Sequence, residues 1–443
     1  MARASSRGIA PSDPEFGRDE QRRRRLGAAL GSIGSALEWY DFTLYVYLAP
    51  VLAELFFPSS DPLNALLATY GVFAAGFLMR PLGAVFFGNL GDARGRKAAL
   101  SYSVVMMSIA MLLIGLLPTH ATIGAAAPIA LVLLRLVQGF SLGGETSGTY
   151  VLMFETARPD RRGLGAALAA SMASLGVMLT ALLVTIMHAV LNTQQTDDYG
   201  WRILFFVGAG IGLVALIMRR RMAETPSFAA AREAGEVSAL PIKRALRDHR
   251  RGIAQVFALT AYTAVVWWLA FTYVPSYLQE PIGTTPEVAT LGATLAAILC
   301  ALAIPFAGLL SDHVGRRPVM AAGAVLMLLF AYPVFTLLDD ATAAATISGQ
   351  LILMVFVLLY TGPWAPTISE LFPTATRYTG MVGYQLSMAI FGGTAPLVAT
   401  LLIKITGDNL APAFYLIGTS LLILVVLARL PETYRADAAQ RGA

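Results

Sequence analysis

Glu38 and Asp41 stand three residues apart in an apolar stretch, so a helix would carry both carboxyls on one face, with Tyr45 close to the same stripe. A second apolar stretch holds Arg135, Gln138 and Glu145 at offsets of 0, 3 and 10, again one helical face. A charge in hydrocarbon costs roughly 3 kcal/mol even on the mildest scale, so each of these groups calls for a partner or a water-filled cavity. An Asp41–Arg135 ion pair answers that need. Protonating Asp41 would break the pair and free Arg135, and a proton bound in this way can bias two access states. A permanent pair that packs the two helices together is the alternative, and Glu38 is the second carboxylate that could take the proton.

Those groups can meet only if the stretches that carry them cross a membrane side by side. Charged residues are 13% of the chain and apolar ones 56%, with a mean hydropathy of +0.65, too little polar surface to cover a soluble globule. Apolar runs long enough to cross roughly 30 Å of hydrocarbon fall at 28–57, 65–88, 98–117, 127–154, 163–191 and 201–218, and again at 252–279, 287–310, 318–338, 346–369, 380–404 and 410–430. The expected architecture is an all-α membrane protein with twelve transmembrane helices in two six-helix bundles, 28–218 and 252–430. A polar linker at 219–251 joins them, and tails lie at 1–27 and 431–443. The Arg-rich residues 1–27 read as a cytoplasmic tail rather than a cleaved signal.

Cations orient the spans. Lys and Arg crowd the N-terminal tail, the linker and alternate loops, including Arg94, Arg96, Lys97, Arg158, Arg161, Arg162, Arg316, Arg317 and Arg377. The loops near 58–64, 118–126, 192–200, 280–286, 339–345 and 405–409 hold none. Both termini and the linker are therefore expected in the cytoplasm, in a cell inner membrane. At 1.5 Å per residue, Asp41 then lies roughly 20 Å from the cytoplasmic end of its helix and Arg135 roughly 12 Å from the periplasmic end of its own, which makes the depths compatible. Cys300 lies within an apolar run and reads as a small structural residue, and the chain offers no intrachain disulfide.

One segment occurs twice. Gly88-Asn89-Leu90-Gly91-Asp92-Ala93-Arg94-Gly95-Arg96-Lys97 returns 220 positions later as Gly308-Leu309-Leu310-Ser311-Asp312-His313-Val314-Gly315-Arg316-Arg317. Each copy is expected in the loop between the second and third helices of its half, where Gly95 and Gly315 allow a tight turn. Asp92 and Asp312 can accept hydrogen bonds from arginines or from a helix N-terminus. With Arg96, Lys97, Arg316, Arg317 and Glu145, they are read as a cytoplasmic gate that latches in one state and releases in another. Tandem halves in one orientation match the parallel-repeat plan of a transporter that rocks about a central site.

The doubled loop resembles the signature of the major facilitator superfamily. Further segments resemble its metabolite:proton symporter family: Glu38-Trp39-Tyr40-Asp41-Phe42, Gly76-Phe77-Leu78-Met79-Arg80-Pro81-Leu82-Gly83, Arg135-Leu136-Val137-Gln138-Gly139, Gly200-Trp201-Arg202, Glu370-Leu371-Phe372-Pro373 and Phe391-Gly392-Gly393. That family includes carriers of α-ketoglutarate, citrate and osmoprotectants such as proline and betaine. The resemblance implies proton-driven uptake with no cofactor, by a protein that works as a monomer on a small solute among membrane lipids. It also implies that helices 1, 4, 7 and 10 line the path. On that footing Tyr45, Arg135, Gln138, Trp267, Trp268, Tyr360, Trp364, Tyr384 and Gln385 are candidates for the solute cavity. Tyr273 and Trp201, nearer helix ends, fit an interfacial belt as well.

For the solute, the first reading is a small organic acid, a di- or tricarboxylate. The run Phe391-Gly392-Gly393-Thr394-Ala395-Pro396, followed by Thr406-Gly407-Asp408, is similar to the citrate and tricarballylate branch. Arg135 would be the deep cation, Lys404 a second if it turned inward, and Ser171, Ser174, Thr180 and Thr185 hydroxyl donors. The second reading is a zwitterionic osmolyte such as proline or betaine held by cation–π contacts to tryptophan. Arg80 is read as a packing anchor. A channel or a transporter-like sensor is the alternative from another class. No HExxH, GxSxG or phosphate loop points to an enzyme, no cluster to a metal, and no basic amphipathic face to nucleic acid.

Overall fold

The computed structural model describes residues 38–94, 96–144, 150, 153–154, 157, 161–220, 250–372 and 380–434. Among them all regular structure is helical, without a strand. Twelve helices run across the molecule. The first six are α1 (38–56), α2 (Pro62–Leu78 and Arg80–Arg94), α3 (Arg96–Leu116), α4 (Ala126–Ser141, ending in a tight turn at Leu142–Gly144), α5 (Arg162–Val190) and α6 (Trp201–Arg220). The second six are α7 (Arg250–Trp267, Trp268–Tyr273 and Val274–Gln279), α8 (Pro286–Val314), α9 (Arg316–Asp339), α10 (Ala343–Glu370), α11 (Val382–Ser387, Met388–Gly392 and Gly393–Thr406) and α12 (Ala411–Arg429). Ten of these are long and apolar enough to cross a membrane on their own. The α4 helix is shorter but apolar, and α1 enters the described residues at 38.

Burial separates central helices from peripheral ones. In the apolar stretch of α7, 72% is buried, against 39% for α6, α9 and α12, so the last three turn their apolar side chains outward, as lipid-facing helices do. The α3–α6 pair of the first bundle has its counterpart in the α9–α12 pair of the second. Between bundles, α5 lies along α8 and α2 along α11. Small residues permit these approaches where no hydrophobic drive between helices exists. A Cβ on Gly308 would lie 2.6 Å from the Gly163 carbonyl oxygen, and one on Gly139 would lie 1.8 Å from that of Gly76, so α5–α8 and α4–α2 meet almost backbone to backbone.

Two long helices contain π-type turns, Trp268–Tyr273 in α7 and Met388–Gly392 in α11. Such turns leave the regular hydrogen-bond ladder and often occur at functional sites. The repeated segment is not the loop expected from sequence. The α2 helix runs on to Arg94 and α8 to Val314, so Asp92 and Asp312 stand on the last helical turns. In the second copy Gly315 alone separates α8 from α9, and its φ of 113° is one that a side chain would oppose. Tyr273 and Trp201 are buried, not interfacial: Tyr273 is 1% exposed, and the Trp201 indole donates to the Asp197 carbonyl oxygen. The tail 1–27, most of the linker 219–251 and residues 435–443 lie outside the described residues.

The junctions that carry Arg94, Arg96 and Arg316 lie at one end of the bundles, here termed the basic end. The starts of α2 and α8 and the ends of α1, α7 and α11 mark the opposite end.

Candidate functional site

Asp41 on α1 is fully buried and faces α4. Gln138 stands between it and Arg135: the Gln138 amide donates to Asp41 Oδ1 at 2.7 Å and accepts from Arg135 Nη1 at 2.9 Å. The direct Arg135 Nη1–Asp41 Oδ2 separation is 3.7 Å, an ion-pair contact without a hydrogen bond. Gln138, expected in the solute cavity, is instead the bridge of this relay. The i, i+3 spacing of Arg135 and Gln138 on α4 allows it, because one face of one helix supplies both groups.

Glu38, one turn nearer the basic end on α1, ion-pairs with Arg80 at the start of the second part of α2. Arg80 is therefore a buried charge partner as well as a packing residue. Phe42 separates the two guanidinium groups, its ring centre 5.2 Å from Arg80 Cζ and 5.4 Å from Arg135 Cζ. Arg135 also lies 4.3 Å from the Tyr45 ring, whose hydroxyl donates to the Thr69 carbonyl oxygen. Tyr45 thus walls the relay and does not face the cavity.

Between the bundles is a small cavity of about 10 Å³. Its aromatic lining takes one residue from each of α1, α7 and α10, namely Trp39, Trp267 and Trp364, and adds Tyr150, which lies between α4 and α5 in sequence. Trp39 and Trp267 meet at 5.6 Å and 65°, and Tyr150 and Trp364 at 5.4 Å and 82°. Ala170, Ala173, Thr263, Thr361 and Met388 complete it. Of the sequence candidates, Trp267 and Trp364 line this space. Trp268 stacks on Trp39 at 5.7 Å, and Tyr384 packs on the Tyr150 and Trp364 rings, both at 6.0 Å. Tyr360 donates to the Leu259 carbonyl oxygen and packs on Tyr262, away from the lining, and Gln385 is half-buried outside it.

The hydroxyls of α5 are spoken for. Ser171 bonds to the Ala301 carbonyl oxygen on α8, Ser174 to that of Ala170 on its own helix, Thr180 to those of Tyr40 and Gly176, and Thr185 to Thr294 at 3.1 Å. Lys404 does not turn inward. It bonds to Asp61 at 3.2 Å and to Asn64, joining α11 to the start of α2 at the opposite end.

Contacts between the bundles occur at both ends. At the basic end, Asp312 accepts from the backbone N–H groups of Gly163 and Leu164 in the first turn of α5, at 2.8 and 3.0 Å. Arg316 Nη1 lies 2.7 Å from Asp312, and Arg316 Nη2 donates to Glu370 at 3.0 Å. Glu432 accepts from the N–H groups of Arg316 and Arg317, while the Arg317 side chain is exposed and takes no part. The matching first-half gate residues, Asp92, Gly95, Arg96, Lys97 and Glu145, lie outside the described side chains. At the opposite end, Tyr47 donates to the Phe271 carbonyl oxygen in the α7 π-turn at 2.8 Å, and Ser276 to that of Val46 at 2.9 Å.

A family model described as the Major Facilitator Superfamily matches residues 31–285 and 256–443. The chain belongs to the major facilitator superfamily. Among curated members it is 32% identical over 424 residues to the proline/betaine transporter of Salmonella typhimurium, covering 94% of this chain and 84% of that one. It is 34% identical over 416 residues to the ectoine/proline transporter ProP of Corynebacterium glutamicum, covering 90% and 82%. Among solved structures the fold is similar to that of the xylose transporter XylE from E. coli in a partially occluded inward open conformation. The TM-score is 0.74 at 17% identity, over 92% of this chain and 97% of that one. As a facilitator, the chain is a multi-pass membrane transporter.

Sequence reasoning missed Trp39, Tyr150, Thr263 and Thr361 in the lining, and the partners Arg80, Glu370 and Glu432. Trp39 and Glu370 stood in quoted motifs, where they served as family markers. Their chemistry shows only once helix rotation is known.

Proposed function

We propose that this facilitator is a proton-coupled carrier that takes up a small zwitterionic solute of the proline or betaine kind by alternating access. The observation that carries the reading is the central cavity: it is walled by aromatic rings, and the deep cation Arg135 is already engaged by Asp41, Gln138 and the Tyr45 ring. A tricarboxylate would need unpaired positive charge there, and Lys404, the second cation open to that reading, is bound elsewhere. The relatives named above support the same class of solute.

In this mechanism a proton enters on Asp41. The neutral carboxyl no longer holds Arg135 through charge, and the α1–α4 contact loosens. The Glu38–Arg80 pair keeps α1 against α2. The two bundles, 28–218 and 252–430, rock about the cavity. The basic end faces the cytoplasm in a cell inner membrane, with both termini and the 219–251 linker on that side. Release of Asp312 from the α5 N-terminus opens the cytoplasmic side, and release of Tyr47 and Ser276 from their carbonyl partners opens the other. The proton gradient supplies the driving force to a monomer without a cofactor.

Uptake of labelled proline, glycine betaine and citrate into proteoliposomes, with and without an inward proton gradient, tests the reading. Accumulation of the zwitterions above equilibrium only with the gradient is expected. Accumulation of citrate in their place would overturn it.

A further inference from the structure

The groups that line the cavity are unbalanced between donors and acceptors. Trp39, Trp267 and Trp364 are 7%, 3% and 0% exposed, and none of their indole N–H groups has a hydrogen-bond partner among the described residues. The Thr361 hydroxyl is also buried without a partner, whereas Thr263 spends its proton on the Leu259 carbonyl oxygen. Among the described residues no carboxylate lines the space. The two nearby acids are committed, Glu38 to Arg80 and Asp41 to Gln138 and Arg135. Three indole N–H groups and one hydroxyl, buried without partners among the described residues, suit a ligand rich in acceptors.

A carboxylate meets that demand, since it accepts only. The cationic end of a zwitterion meets the opposite condition. A primary ammonium brings three N–H donors, and the lining offers them only the neutral hydroxyl oxygens of Tyr150, Thr263 and Thr361, with no carboxylate. A quaternary ammonium brings none, and ring faces hold it by cation–π attraction that strengthens when water is excluded. The two ring pairs, Trp39 with Trp267 and Tyr150 with Trp364, each join one residue from the first half of the chain to one from the second. A cation between them would therefore tie the two halves together.

Resting on the proposed zwitterion carrier, we infer that N-methylation is the specificity determinant of this site: the indole N–H groups and Thr361 take the carboxylate, and the ring faces take a nitrogen stripped of its hydrogens. Each methyl replaced by hydrogen leaves one more buried donor unsatisfied and weakens binding on the order of tenfold.

The full chain in proteoliposomes tests this by inhibition of labelled proline uptake with unlabelled glycine betaine, N,N-dimethylglycine, N-methylglycine and glycine. The half-inhibiting concentration is expected to rise at every step, by on the order of a thousandfold across the series. Equal inhibition by all four, or glycine as the strongest, with proline uptake intact, would overturn this inference and leave the carrier reading standing. Failure of proline and glycine betaine to enter at all would overturn both. Trp364→Phe and Trp267→Phe keep a ring face and delete an N–H, so all four ligands are expected to weaken together with their order kept. An order lost in these variants would overturn the assignment of ring faces to the cation.

Discussion

The two halves of the molecule bury different chemistry at mid-depth. In the first half Glu38, Asp41, Arg80 and Arg135 form two ion pairs on three helices, with Phe42 between the guanidinium groups. In the second half the charged residues of α7, α10 and α11 stand only at or near the helix ends, as with Arg250, Arg251, Glu370 and Lys404. Their middles hold rings instead: Tyr262, Trp267, Trp268, Tyr360 and Trp364. The contrast teaches that one fold repeated in tandem can divide its work. On the proposed reading, proton coupling falls to the charges gathered in one bundle and solute recognition to the aromatic surface where the bundles meet.

Substitutions that move charge in the first bundle should have the largest effects. Arg135→Leu leaves Asp41 buried without its counter-charge, and breaking such a pair typically costs about 3–5 kcal/mol. A large drop in thermal unfolding temperature is expected, largely restored in the double variant with Asp41→Asn. An Arg135→Leu protein as stable as the parent would break the comparison. Arg316→Ala is expected to come next, because it strips Asp312 and Glu370 of a shared partner at the basic end. Faster alkylation of a cysteine placed at the buried Ala166, with Cys300→Ser as background, would register the opening. Tyr47→Phe removes one bond between bundles at the opposite end and should favour opening there by about 1 kcal/mol, read by labelling of a cysteine at Ala53. Lys404→Ala should matter least: both partners are about a third or more exposed, and such pairs contribute about 0–1 kcal/mol. Uptake within about fivefold of the parent is expected.

The helices were legible because hydrocarbon imposes length and composition, and each expected span has a helix among the described residues, with parts of 28–57 and 127–154 lying outside them. The doubled Asp and Gly pattern was equally legible, but its setting was not. Nothing in Gly308–Val314 forbids a helix, so α8 continues until Gly315, where the backbone reverses. Depth along the chain brought Asp41 and Arg135 to one level. It could not rotate α4 enough to place Gln138 between them, nor turn Arg80 toward Glu38, because spacing on one helix says little about which neighbour it faces. The same gap made the α5 hydroxyls look available: Ser171 and Thr185 read as solute ligands until α8 is seen lying along them. The cavity was half legible, since Trp267 and Trp364 declared themselves by size and position, while Trp39 and Tyr150 needed the bundles to be brought together.

The division between a charged relay and an aromatic cavity meets its most direct test in Asp41→Asn, assayed twice in the same proteoliposomes. Exchange of labelled for unlabelled proline across the membrane asks only that the cavity bind and the bundles rock. Accumulation against a gradient asks for the proton as well. The account predicts that the variant keeps exchange near the parent rate, independent of pH, and loses accumulation. Proton-driven accumulation undiminished in Asp41→Asn would contradict it.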